Sequence, residues 1–303
     1  MVHEETVYDA LDHAHGGEGQ WAFGTGFDDP LAGVDTTVPE GIDRVDLGVY
    51  CLMLGDDALV LAQRLTQWIT AAPELEEEVA IANIALDLLG QARLLLARAG
   101  SVGVLGRSRQ LATASIPDED ALAYFRDPDE FRCTPLVEAA NGDFARSMVR
   151  LLVASSLRLA LLERLRASRD PVLAAIAAKG VHELTYHRDH AARWVLRLGD
   201  GTQESARRAQ DGADAVWPLL TEVFTPTDVE LRLTDAGVAV DPSTTRDEVR
   251  GVLTHVLERA TLRVPGWPAD APPRGREGQH GPELTGILAE LQGLAREHPA
   301  ATW

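Results

Sequence analysis

Two polar stripes interrupt segments that are otherwise apolar enough to lie inside a folded protein. The stripes share an i, i+4, i+8 spacing and consist of Asn83, Asp87 and Gln91 in the first segment and Lys179, Glu183 and His187 in the second. Residues four positions apart lie on the same side of an α-helix. Because a buried charge is costly unless it is paired, we expect the two stripes to face each other or a shared site.

Carboxylates are available on all four of the long helices that the sequence predicts. These acids are Asp57, Asp87, Asp143 and Glu183. Four helices that each direct an acid inward form the skeleton of a diiron carboxylate site, which also needs a Glu-x-x-His motif on two of the helices. The acids alone therefore indicate a bundle built like those of diiron carboxylate proteins.

Histidines are missing where a diiron site needs them. The positions three residues after Asp87 and Glu183 are Gly90 and Tyr186. The histidines of the predicted bundle all fall on its fourth helix, at His182, His187 and His190. One helix cannot supply nitrogen ligands to both sides of a diiron centre. We therefore interpret six positions as a vestigial metal site, namely Asp57, Asp87, Gly90, Asp143, Glu183 and Tyr186.

Lys179 is the only lysine in the chain and lies one turn before Glu183. Its ammonium is predicted to replace the missing metal cation by neutralising Glu183 or Asp87, in a network that includes Asn83, Gln91 and His187. Two alternatives stay open: Lys179 is a surface residue while Glu183 pairs locally, or the site binds metal. The first hypothesis predicts that Lys179→Met lowers stability or complex yield without altering the metal content.

Helical periodicity dominates the chain from about residue 43 onward. Long helices are predicted at 45–69, 73–99, 141–167 and 171–198, and shorter ones near 118–126, 203–224, 246–259 and 283–297. Two helical hairpins joined by a longer crossover are the arrangement of ferritin-like bundles. We therefore predict an all-α, ferritin-like four-helix bundle with additional C-terminal helices packed outside it.

The predicted domain organisation is one helical domain, residues 43–303, after an extension. Residues 1–42 are rich in Gly, Asp and Thr and show no helical period, so they are predicted to be a poorly structured extension. The alternative is an arm whose aromatic side chains, Trp21, Phe23 and Phe27, dock on the body or on a partner.

Composition excludes several classes of function. With 47 acidic and 28 basic residues the net charge is −19, which disfavours binding to nucleic acid. Cys51 and Cys133 are too few for a disulfide framework and indicate a reducing compartment. Neither a signal peptide nor a membrane-spanning run is apparent, so we expect a cytoplasmic protein. Phosphate-binding loops and Cys-x-x-Cys motifs are also absent from the sequence.

Several blocks of sequence resemble the C-subunit family of bacterial phenylacetyl-CoA epoxidases. The most specific is IANIALDLLGQAR at 81–93, preceded by EEE at 76–78. Further blocks are LGDDALVL at 54–61, DED at 118–120, FRD at 125–127, NGDFA at 141–145, YH at 186–187, RLGDGT at 197–202 and HPAATW at 298–303. The resemblance covers about residues 43–303 and leaves the first 42 unexplained.

This resemblance implies a role in a multicomponent oxygenase that converts phenylacetyl-CoA to its ring 1,2-epoxide with O2 and electrons from NADPH. In that family a sister ferritin-like subunit holds the diiron centre, and a flavin/iron–sulfur reductase supplies electrons. The C subunit shares the fold without the metal and pairs with the catalytic subunit. The expectation is therefore a structural subunit without a cofactor, part of a hetero-oligomer or a homodimer when alone.

Two other functions remain as alternatives to this one. The chain could be a catalytic diiron or dimanganese carboxylate oxygenase in its own right, and the missing histidines on the second helix argue against that. A ferritin-like storage protein is the other alternative, and the sparse set of metal ligands argues against it.

Overall fold

The computed structural model describes residues 31–105, 116–299 and 301. Within these ranges the chain forms ten α-helices and no β-strand, which confirms the all-α prediction. The helices are α1 (Arg44–Thr66), α2 (Leu75–Ser101), α3 (Asp118–Tyr124), α4 (Pro135–Glu138), α5 (Phe144–Leu165), α6 (Pro171–Gly199), α7 (Gln203–Val216), α8 (Asp228–Asp235), α9 (Arg246–Arg259) and α10 (Pro282–Glu297). Short 3-10 helices lie at Pro128–Glu130, Trp217–Thr221, Pro242–Thr245 and Gly275–Glu277.

The core of the molecule is a four-helix bundle made of two helical hairpins. α1 packs along α2, α5 packs along α6, and contacts between α2 and α6 join the two hairpins. A crossover that carries α3 and α4 connects α2 to α5. Fully buried side chains from each of the four helices fill the interior, including Leu65, Ile84, Val149 and Val195. The fold confirms the predicted ferritin-like bundle.

Aspartates cap three of the four bundle helices. Asp43 accepts hydrogen bonds from the first backbone N–H groups of α1, Asp143 from Arg146 N in α5, and Asp170 from Leu173 N in α6. Such a side chain satisfies an N–H that helix geometry leaves without a partner. The cap also fixes the start of α5 at Phe144, three residues later than predicted.

Other helix boundaries also differ from the prediction. Pro73 was predicted as the first residue of α2, but Glu74 keeps an extended backbone and the helix begins at Leu75. The helix predicted over 203–224 ends as an α-helix at Val216, where a 3-10 helix containing Pro218 follows. Proline has no N–H to donate, so it favours this change of hydrogen bonding.

The helices after the bundle pack on its outside, as predicted. α7 and α9 both lie against α5 and α6, and α8 lies against α1. α10 returns to the crossover, where it contacts α3 and α4 as well as α1. The C-terminal part of the chain thereby contacts α1, α5 and α6 from outside the bundle.

α2 is long and apolar enough to cross a membrane, by length and composition alone. Its length and its mean hydropathy of 1.5 meet the criteria for a membrane-spanning helix. It packs against α1, α3 and α6, and core helices of soluble proteins meet the same criteria. Length and hydropathy are therefore weak evidence for a membrane span here.

The segment before α1 contains no helix from residue 34 to residue 43. It contacts the bundle, since Arg98 Nη1 donates a hydrogen bond to the carbonyl oxygen of Thr36 at 2.6 Å. The aromatic residues of the predicted arm, Trp21, Phe23 and Phe27, lie outside the described residues. The prediction for residues 1–30 therefore stays a prediction.

Candidate functional site

A chain of polar contacts crosses the centre of the bundle. Arg158 on α5 donates from Nε to Gln91 Oε1 on α2 at 2.8 Å, and Gln91 Nε2 donates to Glu183 Oε2 on α6 at 2.8 Å. Arg158 Nη1 also donates to the carbonyl oxygen of Leu54 on α1 at 2.9 Å. All four bundle helices therefore contribute to this centre, which we call the Arg158 centre (Leu54, Gln91, Arg158 and Glu183).

Buried arginines on the bundle helices include Arg98, Arg150 and Arg158. Arg158 is the one that lies in this centre, and the sequence interpretation missed it. Burial lowers the pKa of Arg158 to about 10, and repulsion from Arg276 acts in the same direction, while Asp57 and Glu183 oppose the shift. The guanidinium therefore keeps its charge at neutral pH. A lone arginine in the apolar run of α5 was the signal that could have found it.

The predicted surrogate cation, Lys179, lies at the edge of this network instead. Its ammonium contacts Glu183 Oε1 at 2.8 Å, but its side chain is 48% exposed. Along the same stripe Glu183 is 14% exposed and His187 is fully buried. Each step of four residues advances about 40° around a helix, so an i, i+4, i+8 stripe turns from the surface into the core. The expectation of a buried lysine was wrong for this reason.

Lys179→Met is therefore expected to change the free energy of unfolding by no more than about 0.5 kcal/mol, since exposed ion pairs between helix neighbours contribute little. Chemical denaturation of the wild type and the variant at low and high salt measures the difference. A larger loss would show that Lys179 supports the Arg158 centre more strongly than its exposure indicates.

The first polar stripe turns in the same manner on α2. Asn83 is exposed, Asp87 is half-buried, and Gln91 is buried in the Arg158 centre. Asp87 Oδ2 lies 2.9 Å from His187 Nε2, which links α2 to α6. The two stripes therefore face each other as expected, but only their inner ends reach the middle of the bundle.

The four acids assigned to a vestigial metal site do not converge on one point. Asp57 binds Arg276 Nη2 at 2.6 Å and accepts a hydrogen bond from the backbone N of Thr134. Asp143 caps α5, so it lies at a helix end. Glu183 and Asp87 have the partners described above. Interpretation of Asp143 as a central carboxylate was wrong, because its side chain serves the helix terminus.

The remaining two positions of that set lie toward the outside. A Cβ added at Gly90 would meet no atom within 4 Å and would face open space. Tyr186 is about half exposed, and its ring stacks near His190. Neither position lies where a histidine could complete a central metal site.

The side chains at the bundle centre do not fit a diiron centre. Such a centre needs several carboxylates and two imidazoles around the metals. The Arg158 centre offers one carboxylate, one amide and a guanidinium, which cannot act as a ligand and repels a cation.

A second buried cluster joins the crossover to the segment before α10. Cys133, Glu138 and His280 are the one group of three metal-ligand types found close together in the described part of the chain, with ligand atoms within 4.8 Å of one another. His280 Nδ1 lies 2.6 Å from Glu138 Oε1, and its Nε2 lies 3.0 Å from the carbonyl oxygen of Phe131. Two acceptors around one ring favour the doubly protonated imidazolium.

The charge state of His280 supports a buried ion pair at this cluster. Burial disfavours the imidazolium, but the hydrogen bonds to Glu138 and Phe131 outweigh burial and raise the pKa of His280 above its ordinary value. Burial also raises the pKa of the Cys133 thiol, with the charge of Glu138 adding to the effect. A protonated thiol can donate to Glu138 Oε1, which lies 3.6 Å from its sulfur.

His280 is expected to make the protein less stable as the pH rises above neutrality. Because its pKa is raised on folding, its contribution is complete below the ordinary value of 6.5 and is lost as the pH rises through the raised pKa. Denaturation of the wild type and of His280→Gln between pH 6 and pH 9 measures this. The difference in unfolding free energy between the two proteins should shrink as the pH rises, and a constant difference would contradict the assignment.

An apolar strip of exposed side chains runs along α2, and Tyr186 is exposed on the neighbouring helix α6. We call it the α2–α6 face and define it by exposed Leu75, Val79, Leu86, Leu89 and Tyr186. The four residues of α2 fall within an arc of about 80° at 3.6 residues per turn. Contiguous exposed apolar residues of this kind mark sites of protein association more often than isolated ones do.

Two comparisons with known proteins identify relatives of this chain. The model of the phenylacetic acid catabolic protein family matches residues 35–303. The C subunit of 1,2-phenylacetyl-CoA epoxidase from Escherichia coli (strain K12) is 40% identical over 257 residues, which cover 85% of this chain and 99% of the relative. The family match begins eight residues earlier than the resemblance seen in the sequence, in the segment that contacts Arg98. The chain therefore belongs to the phenylacetic acid catabolic protein family.

Proposed function

We propose that this chain is the non-catalytic structural subunit of a phenylacetyl-CoA 1,2-epoxidase, and that it pairs with and stabilises a separate diiron subunit in aerobic phenylacetate degradation. The observation that carries the proposal is the Arg158 centre. A guanidinium hydrogen-bonded to Gln91 lies where a ferritin-like oxygenase needs metal ligands. The similarity to the C subunit of the Escherichia coli epoxidase supports the choice of complex.

The Arg158 centre supports a scaffold role because it stabilises the bundle without metal. Gln91 bridges Arg158 and Glu183, so the amide satisfies a cation on one side and a carboxylate on the other. Buried polar groups that are paired in this way hold helices in one arrangement. The chain can therefore keep a ferritin-like shape while the reaction takes place in a partner protein.

The α2–α6 face is the surface that we assign to the partner. It combines exposed leucines with Tyr186, and aromatic anchors surrounded by apolar side chains are common in stable interfaces. The proposal includes a hetero-oligomer, an indirect link to the electron-supplying reductase, a cytoplasmic location and no resident cofactor in this chain.

Metal analysis of the chain with and without its partner tests this function. The chain purified alone should contain far less than one iron and should not epoxidise phenylacetyl-CoA with reductase and NADPH. Co-expression with the neighbouring ferritin-like subunit should give a complex whose iron and activity follow the partner. Near-stoichiometric iron with a diiron absorption band in the isolated chain would show instead that it is catalytic itself.

A further inference from the structure

A cavity of about 70 Å³ lies beside the Arg158 centre. Its wall includes Leu54 and Leu61 of α1, Leu88 of α2, Arg158 of α5 and Thr225 from the segment after α7. One water needs roughly 10–15 Å³ of such space, so the cavity has room for several waters or one small ion. It is much smaller than the roughly 150 Å³ cavity that accommodates benzene, so an arylacetate is excluded.

Two polar atoms of residues that line this cavity lack hydrogen-bond partners within the described chain. They are Arg158 Nη2 and Thr225 Oγ1, and both atoms are buried. A buried donor without an acceptor costs about 1–3 kcal/mol, and more when it carries charge. Native proteins usually satisfy such atoms with a bound molecule or ordered water.

The charge of Arg158 determines what kind of molecule fits. Its two described hydrogen-bond acceptors, Gln91 Oε1 and the Leu54 carbonyl, are neutral. The nearby carboxylate of Asp57 is already bound to Arg276. Burial raises the pKa of Glu230, another residue of the wall, which favours its neutral form. The third acid of the wall, Glu222, accepts a hydrogen bond from Gly275 N at 3.0 Å. Arg158 therefore has no carboxylate among its described hydrogen-bond partners, and an anion in the cavity would supply one.

We propose that this cavity binds one small monoanion of the carboxylate class, such as formate, acetate or bicarbonate. Arg158 Nη2 would donate to one of its oxygens, and the Thr225 hydroxyl would donate as well. The leucines of the wall exclude larger or more strongly hydrated anions. The bound anion would stabilise the bundle at the place where α1, α5 and the C-terminal segments meet, independently of any partner subunit.

Formate is the probe for a test on the full chain. Thermal unfolding is followed over a series of sodium formate concentrations, with sodium sulfate keeping the ionic strength constant, and line broadening of ¹³C-formate is measured by NMR. A saturable effect is expected in the wild type, and formate at ten times Kd should raise the ratio of folded to unfolded protein about 11-fold. Arg158→Gln should abolish the stabilisation by formate and the line broadening, and Thr225→Val should weaken both.

The matched control is Arg93→Gln, which alters an arginine whose side chain is 75% exposed. It should keep the full response to formate. If formate stabilises the wild type and all three variants equally, the salt acts on the protein surface and the proposal is overturned. If Arg158→Gln does not fold, the test compares the wild type with Thr225→Val. Binding in the cavity is contradicted if both proteins broaden the ¹³C-formate signal equally, or if neither protein broadens it.

Discussion

Asp170→Ala is expected to lower the free energy of unfolding by about 3–5 kcal/mol, because it leaves a buried arginine without its counter-ion. Asp170 is fully buried, and its Oδ2 lies 2.5 Å from Arg98 Nη2. Its other oxygen accepts the N–H of Leu173 at 2.9 Å and caps α6. One carboxylate therefore holds the end of α2, the start of α6 and, through Arg98, the carbonyl of Thr36.

Asp143→Ala is the matched control for that prediction. Asp143 caps α5 through Arg146 N at 2.9 Å, the same contact that Asp170 makes in α6, but at a half-buried position. Loss of a cap alone costs about 1 kcal/mol. Guanidinium denaturation followed by circular dichroism measures both variants. Equal losses would show that the Arg98–Asp170 pair adds nothing to the cap.

Much of the fold could be predicted because its signals are local. Apolar residues at helical spacing identify the bundle helices within a few residues. The failure at Pro73 has a local cause as well. Proline is compatible with a first helical turn, yet the extended backbone of Glu74 delays α2 by two residues.

The site was less predictable because its contacts join distant parts of the chain. Asp57 pairs with Arg276, 219 positions away, and no helical pattern announces that pair. Arg158 reaches Gln91 across 67 positions. The sequence indicated a polar stripe inside the bundle, which Gln91 and Glu183 form, but it assigned the cation to Lys179 instead of Arg158. Spacing locates a stripe on a helix, whereas only the packing of neighbouring helices decides which end of the stripe is buried.

Leu86→Lys is expected to weaken binding to the proposed diiron partner about tenfold or more, since an ammonium buried in an apolar contact costs well over ~1.4 kcal/mol. Leu86 is 63% exposed near the middle of the α2–α6 face. Lysine is a good helix former, so the isolated chain should keep its stability within about 0.5 kcal/mol. Co-purification yield and titration of the two subunits measure the binding, and thermal unfolding measures the stability.

Leu294→Lys separates a specific contact from a general effect of surface charge. Leu294 is also a helical leucine and is 56% exposed, but it lies on α10, whose main helix contacts are with α1, α3 and α4. The same substitution there adds the same charge and removes the same side chain, so it should leave partner binding unchanged. Equal loss of binding in both variants would mean that charge alone weakens the complex. If only Leu294→Lys weakens partner binding, the interface lies on α10. If only Leu86→Lys weakens it, the result supports a docking surface on α2 and α6.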